Sequence, residues 1–158
     1  MSTTLGKLRE YETVLVINPE LTDEQVAEIT DRLKGVLEKM HATLLREDHW
    51  GKRKMAFEAR KQGRGNYFLL HYAAPVGTVE ELERTLRNLE HVHRFVTQLN
   101  GEVIDVEAKK AEVEKMVRER AAAKAKAEAE RKEREAAERA MGDDDDDDDD
   151  DDREQAAG

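Results

Sequence analysis

All seven aromatic residues lie between Tyr11 and Phe95, and beyond Val117 no apolar side chain larger than alanine occurs except Met141. A packed core needs such side chains, because burial of apolar surface is the main favourable term in folding. The folding domain must therefore come from residues 1–106 of the 158. The rest of the chain has too little to bury. Residues 107–141 are almost entirely Ala, Glu, Lys and Arg, and residues 142–158 include ten consecutive aspartates, Asp143 to Asp152. That aspartate run repels itself and is expected to be disordered. The Ala/Glu/Lys/Arg segment reads either as a solvated helix or as a charged linker. Glu114/Arg118, Glu128/Lys132, Glu130/Arg134 and Glu135/Arg139 stand at the i,i+4 spacing that supports a helix.

The formal charge of −10 follows the same partition. Residues 1–106 carry −2, residues 107–141 carry +2, and residues 142–158 carry −10. An acidic total would argue against a nucleic-acid partner, but the imbalance belongs to the tail. There is no cysteine, which excludes a disulfide scaffold, a thiol nucleophile and a thiolate metal site. The longest stretch free of Asp, Glu, Lys and Arg is the 15 residues Gly65 to Val79, short of the ~20 a membrane helix needs. Met1 to Glu10 contains no apolar run suited to a signal peptide. A cytoplasmic chain with no membrane partner is the expectation.

Within the domain, the apolar period switches between 2 and 3.6. Tyr11 to Ile17 is rich in β-branched residues and stops at Asn18-Pro19, which predicts a strand. Thr22-Asp23-Glu24-Gln25 has the form of a capping box, with Val26, Ile29, Leu33, Leu37 and Met40 following at helical spacing. A second strand is expected from Leu44 to about Phe57, with a bulge or bend at Gly51. Gly63-Arg64-Gly65 reads as a turn, and Asn66 to Ala74 as a strand ended by Pro75 and Gly77. Thr78-Val79-Glu80-Glu81 suggests a second capping box, before Val79, Leu82, Leu86 and Leu89 on one helix face. His91 to Leu99 reads as the last strand and Asn100-Gly101 as a turn. The order βαββαβ predicts an α+β, ferredoxin-like fold. Its helices would cover one face of a four-stranded antiparallel sheet and leave the other free for a partner.

The basic residues of the domain are concentrated in one place. Arg46, Lys52, Arg53, Lys54, Arg60, Lys61 and Arg64 face only Glu47, Asp48 and Glu58, for +4 in 19 residues, with Trp50 among them. Cations of this kind neutralise phosphates, and an exposed aromatic ring can stack on a base. On composition alone, a solvated edge strand protected from aggregation explains the same residues.

Several short matches then add up. Arg9-x-Tyr11-Glu12 opens the first strand and Asn18-Pro19 closes it. Trp50-Gly51-Lys52-Arg53-Lys54-Met55-Ala56-Phe57 lies in the second. Lys61, Asn66-Tyr67-Phe68 and Glu90-x-Val92-x-Arg94-Phe95 follow in order. With these residues the chain resembles the bacterial small-subunit ribosomal protein six (S-six) family. One departure is Glu58-Ala59, where the family often has Pro-Ile. The resemblance covers residues 1–106 and not the tail. It implies a structural constituent of the small ribosomal subunit, binding small-subunit ribosomal RNA as a heterodimer with ribosomal protein S-eighteen. RNA or partner contacts are then expected at Trp50, Lys52, Arg53, Lys54, Lys61 and Arg64, and in second place at Arg9, Arg87 and Arg94. Arg87 and Arg94 could equally be paired with Glu83 or Glu90.

Other chemistries find less support. His91 and His93, with His49 or His71, could in principle hold a metal, but no carboxylate stands at a spacing suited to orient such ligands. There is no Gly-rich phosphate loop of nucleotide-binding type, and Ser2 is the sole serine. No enzyme activity, cofactor, metal or small-molecule substrate is expected. The rival reading is a ferredoxin-like small-molecule sensor or dimerisation module, which would not explain a basic Trp-Gly hairpin.

Overall fold

Seven elements follow one another in a computed structural model that describes residues 7–59, 61–103 and 105–141. They are β1 (Leu8–Ile17), α1 (Asp23–Lys39), β2 (Thr43–Ala59), β3 (Gln62–Ala74), α2 (Thr78–Arg87), β4 (Val92–Val103) and α3 (Val106–Met141). The strands form one antiparallel sheet in the order β2-β3-β1-β4. This is the ferredoxin-like arrangement that the βαββαβ order predicts. Arg60 and the aspartate run Asp143 to Asp152 lie outside the described residues.

The chain divides into two compact units between Lys115 and Met116. In the first, the main core lies between the sheet and the two helices that connect its strands. Leu15, Ile17, Phe68, Leu70 and Tyr72 meet Val26, Ile29, Leu33 and Leu37 of α1 and Leu82 and Leu86 of α2. Each such side chain contributes about 1.5–3 kcal/mol through burial. A polar chain of contacts on this face runs through hydroxyls: Thr13 Oγ1 lies 3.0 Å from both Tyr72 Oη and Thr97 Oγ1. In the second unit, α3 continues as a solvated helix. Glu128 pairs with Lys132 at 3.3 Å as expected, whereas Glu130 and Arg134 pair with Lys126 and Glu138.

The first helix start is as predicted. Thr22 accepts from the Gln25 amide, and the Gln25 side chain accepts from the Thr22 amide at 3.1 Å. The second is not. Gly77, with φ 96°, is the N-cap of α2, and no side chain caps it. Thr78 is already helical and fully buried, so its hydroxyl cannot serve as the cap. Glu80 and Glu81 still favour the helix N-terminus electrostatically.

Two predicted turns are strand instead. β2 ends at Ala59 and β3 begins at Gln62, Lys61 before it has φ 65°, and Gly63-Arg64-Gly65 lies inside β3. Gly65 is needed there for space. A Cβ on it would overlap Val16 Cγ1 and stand 3.2 Å from Met55 Sδ. Likewise, Asn100-Gly101 does not end β4. Glu10 pairs with Gly101 and Tyr11 with Leu99, so Asn100 is the extra residue of a bulge and the strand runs on to Val103.

The sheet face opposite α1 and α2 is not wholly free. Val106 and Val113, on the first turns of α3, pack with Leu8, Leu45, Ala73 and Val103. Val113 is 1% exposed. The packed unit thus extends past residue 106. Two valines spaced seven apart suffice, because that spacing keeps both on one helix face.

Candidate nucleic-acid interface

The antiparallel register arranges the second face of the sheet in rows. Arg94, Val16, Tyr67 and Gly51 form one row across the four strands, and Val96, Val14, Leu69 and Asp48 the next. Gln98, Glu12, His71 and Arg46 follow, then Gly101, Glu10, Ala73 and Thr43. The first turns of α3 cover the last of these rows. The Arg94 and Val96 rows lie toward the other end and include the strongly exposed Val96.

A bulge sets the orientation of the basic hairpin. His49 pairs with Phe68 and Gly51 with Tyr67, which leaves Trp50 as the extra residue. Gly51 has φ 76°, in the left-handed region that glycine reaches without a steric penalty. One extra residue reverses the parity of everything after it. Trp50, next to His49 of the core face, stands on the second face, stacked on Tyr67 with centroids 6.5 Å apart and planes 13° apart. Arg53 is on the same face. Its guanidinium carbon is 5.5 Å from the Trp50 ring centroid, and its Nε donates to the Trp50 carbonyl at 3.3 Å. Met55, again on this side, is buried against Val16 and Tyr67. Trp50 keeps 39% of its surface exposed, enough for a further stacking contact.

Lys52 and Lys54 point the other way. Lys52 pairs in register with Asn66, and Lys54 with Arg64. All three cations are exposed, and none has a carboxylate partner among the described residues. Lys61 is exposed at the tip. The hairpin thus brings the six primary candidates to one projection of the fold but divides them between its two faces.

The second-place candidates separate further. Arg94 shares a row with Gly51, next to Trp50, and belongs to the same end of the second face. Arg9 pairs with Ala74 and Glu102, at the opposite end of β1. Arg87 is bonded to Glu83 at 2.9 Å, one of the two carboxylates considered for it, and its guanidinium carbon lies 5.9 Å from the Phe95 ring centroid.

One cluster is not foreshadowed by any sequence pattern. His71, 4% exposed, shares a 2.7 Å hydrogen bond with Glu10, and Lys109 of α3 reaches the same carboxylate at 3.1 Å. Burial works against ionisation of Glu10, but the bonds from His71 and Lys109 outweigh it and hold the carboxyl below its usual range. The same bond raises the Lys109 ammonium above its usual value. Across the main core, Lys34 of α1 holds Glu47 of β2 at 2.7 Å. Burial again opposes the charge on Glu47, and the Lys34 and His49 contacts again prevail. His49 also sets its ring edge-on to Phe68, with centroids 4.3 Å apart. Among the described residues, no group of three or more His, Cys, Asp or Glu is arranged to hold a metal ion. No described helix is long and apolar enough to cross a membrane.

Comparison with known proteins agrees with this architecture. Residues 10–98 match the family model described as Ribosomal protein S6. The small ribosomal subunit protein bS6 of Nitratidesulfovibrio vulgaris is 41% identical over 90 residues, covering 57% of this chain and 89% of that protein. That of Trichlorobacter lovleyi is 38% identical over 114 residues, covering 72% and 91%. The crystal structure of 30S ribosomal protein S6 from Thermotoga maritima superposes with a TM-score of 0.56 at 25% identity, over 68% of this chain and 99% of that one. The chain belongs to the ribosomal protein S6 family.

Proposed function

We propose that this chain is a structural constituent of the small subunit of a cytoplasmic ribosome, binding small-subunit ribosomal RNA as a heterodimer with ribosomal protein S-eighteen. The observation that carries this reading is the hairpin. A near-neutral domain of the S6 family concentrates cations without carboxylate partners and a part-exposed tryptophan on one projection. Such a surface supplies phosphate contacts and a stacking ring. Of the eight cations elsewhere on the domain, Lys7, Lys34, Arg84 and Arg87 are paired with carboxylates, so a basic partner would provide the remaining phosphate contacts. The uncovered rows around Val14, Val96 and Arg94 suit a protein partner, because exposed apolar side chains there adjoin a positive charge. The role is contact rather than catalysis.

Ribosome fractionation followed by mass identification tests the location. The expected result is co-migration with the small subunit, and absence from it overturns the reading. Replacing Lys52, Arg53 and Lys54 together with Ala tests the surface. RNA assembly with the partner should weaken, most clearly at low salt. Unchanged assembly at several salt concentrations, with the fold intact, would show that the hairpin is misassigned.

A further inference from the structure

Lys54 and Arg64 are direct cross-strand partners on the face of the hairpin turned away from Trp50. Like charges set opposite each other on antiparallel strands repel. No carboxylate among the described residues relieves this pair, and Lys52 stands beside it on the same face. Arg53, although it lies between the two lysines in sequence, is held against Trp50 on the other face. We infer that Lys54 and Arg64, supported by Lys52, form a two-pronged clamp for the RNA sugar-phosphate backbone, and that Arg53 lies outside this clamp. The assignment rests on the ribosomal reading above and adds to it which cations face phosphate.

The occupant follows from charge and geometry. Two exposed cations directly opposite each other on the ladder offer point charges and hydrogen-bond donors. Backbone phosphates are spaced along a chain and need only that. A folded protein partner would be expected to bring apolar contacts as well, and these lie on the opposite face around Val14, Val96 and Trp50.

The test uses the full chain with ribosomal protein S-eighteen and a transcript of the central domain of small-subunit ribosomal RNA, titrated from low to moderate salt. Removing one cation that neutralises a phosphate should reduce the slope of log affinity against log salt by about 0.7–0.9. Lys54→Gln with Arg64→Gln should therefore lower the slope by about 1.4–1.8. Arg84→Ala, which removes an exposed cation paired with Glu81 on α2, should leave it unchanged. Without RNA, the double variant should unfold at a higher urea midpoint than the wild type, because the repulsion is gone. Its affinity for the protein partner should stay the same.

If the wild type binds and the double variant keeps its slope, the clamp is wrong and the functional reading stands. A loss of partner affinity at unchanged slope makes an acidic protein surface the occupant and overturns the clamp. A lower urea midpoint in the double variant overturns the repulsion argument on which the clamp rests. A wild type that binds no RNA in the presence of the partner overturns the functional reading and the clamp with it.

Discussion

Gly65 offers a direct test of whether a glycine serves a turn or a close approach. It lies in β3, and the place of its missing side chain is filled by Val16 and Met55. Gly65→Ala forces a methyl group into that packed site and should cost ~1–3 kcal/mol. Val16 is 6% exposed. Val16→Ala removes about two methylene equivalents and leaves a small cavity, for ~2 kcal/mol. If the two residues compete for one volume, the double variant should cost less than the sum of the singles by at least ~1 kcal/mol, because the added methyl occupies the space the valine vacates. Urea unfolding followed by far-ultraviolet circular dichroism measures this, and the denaturant slope should be the same in all four proteins. Fluorescence of Trp50 would be a poorer probe, since it stacks on Tyr67 beside the site. A double variant equal to the sum within ~0.5 kcal/mol would refute the packing account. It would return Gly65 to the conformational role that the Gly-Arg-Gly pattern suggests.

Other expectations concern charge and capping. Glu10 has a folded value below its ordinary 4.5, so the stability it supplies is complete above pH 4.5 and is lost as pH falls through the lower folded value. Thermal unfolding of Glu10→Gln from pH 3 to 7 should show a shallower acid decline than the wild type, and equal declines would count against the His71–Glu10–Lys109 cluster. Tyr72 behaves in the opposite sense, since burial pushes its phenol up to about 12 from the ordinary 10.0. The neutral form is the one the fold accepts. About 2–3 kcal/mol of stability should therefore be lost as pH rises from 10 through 12, and Tyr72→Phe should abolish that alkaline loss in a urea series. Thr22→Ala removes the side-chain cap of α1 and should cost ~1 kcal/mol by the same assay.

The periodic elements are legible in the sequence because burial on one side enforces the period. Val26, Ile29, Leu33 and Leu37 recur at helical spacing, and all four sit in the main core. Asn66 to Ala74 reads as strand for the same reason, and it is the more central partner in the β2–β3 hairpin. Glycines mislead wherever conformation and space are alternative causes. Gly63-Arg64-Gly65 has turn composition, yet Gly65 is set by the approach of Val16 and Met55, which no local pattern encodes. Thr78 and Gly77 are another such pair, because a threonine buried by tertiary packing cannot cap. The contribution of α3 is hidden because its few core side chains follow the end of the aromatic residues. Val106 and Val113, at a seven-residue spacing, are the available signal. His71 lies inside the most apolar segment, and Lys109, which shares the Glu10 carboxylate with it, is distant in sequence, a convergence that only the fold produces.

Consecutive cations on a strand cannot make a single patch, because alternate side chains leave on opposite faces. Lys52, Arg53 and Lys54 therefore charge both sides of the hairpin in any register. What the bulge at Trp50-Gly51 decides is the division. With it, two lysines and Arg64 gather opposite the aromatic side, and the single Arg53 is left with Trp50. Without the extra residue, the parity would reverse. The two lysines would then lie on the face that adjoins the apolar rows of the sheet. The left-handed Gly51 makes the observed division inexpensive, since a side chain there would strain the backbone. A nearly neutral domain can thus present a concentrated cationic strand face and a largely apolar sheet face from one hairpin. The separation is set by a backbone irregularity rather than by the order of charges along the sequence.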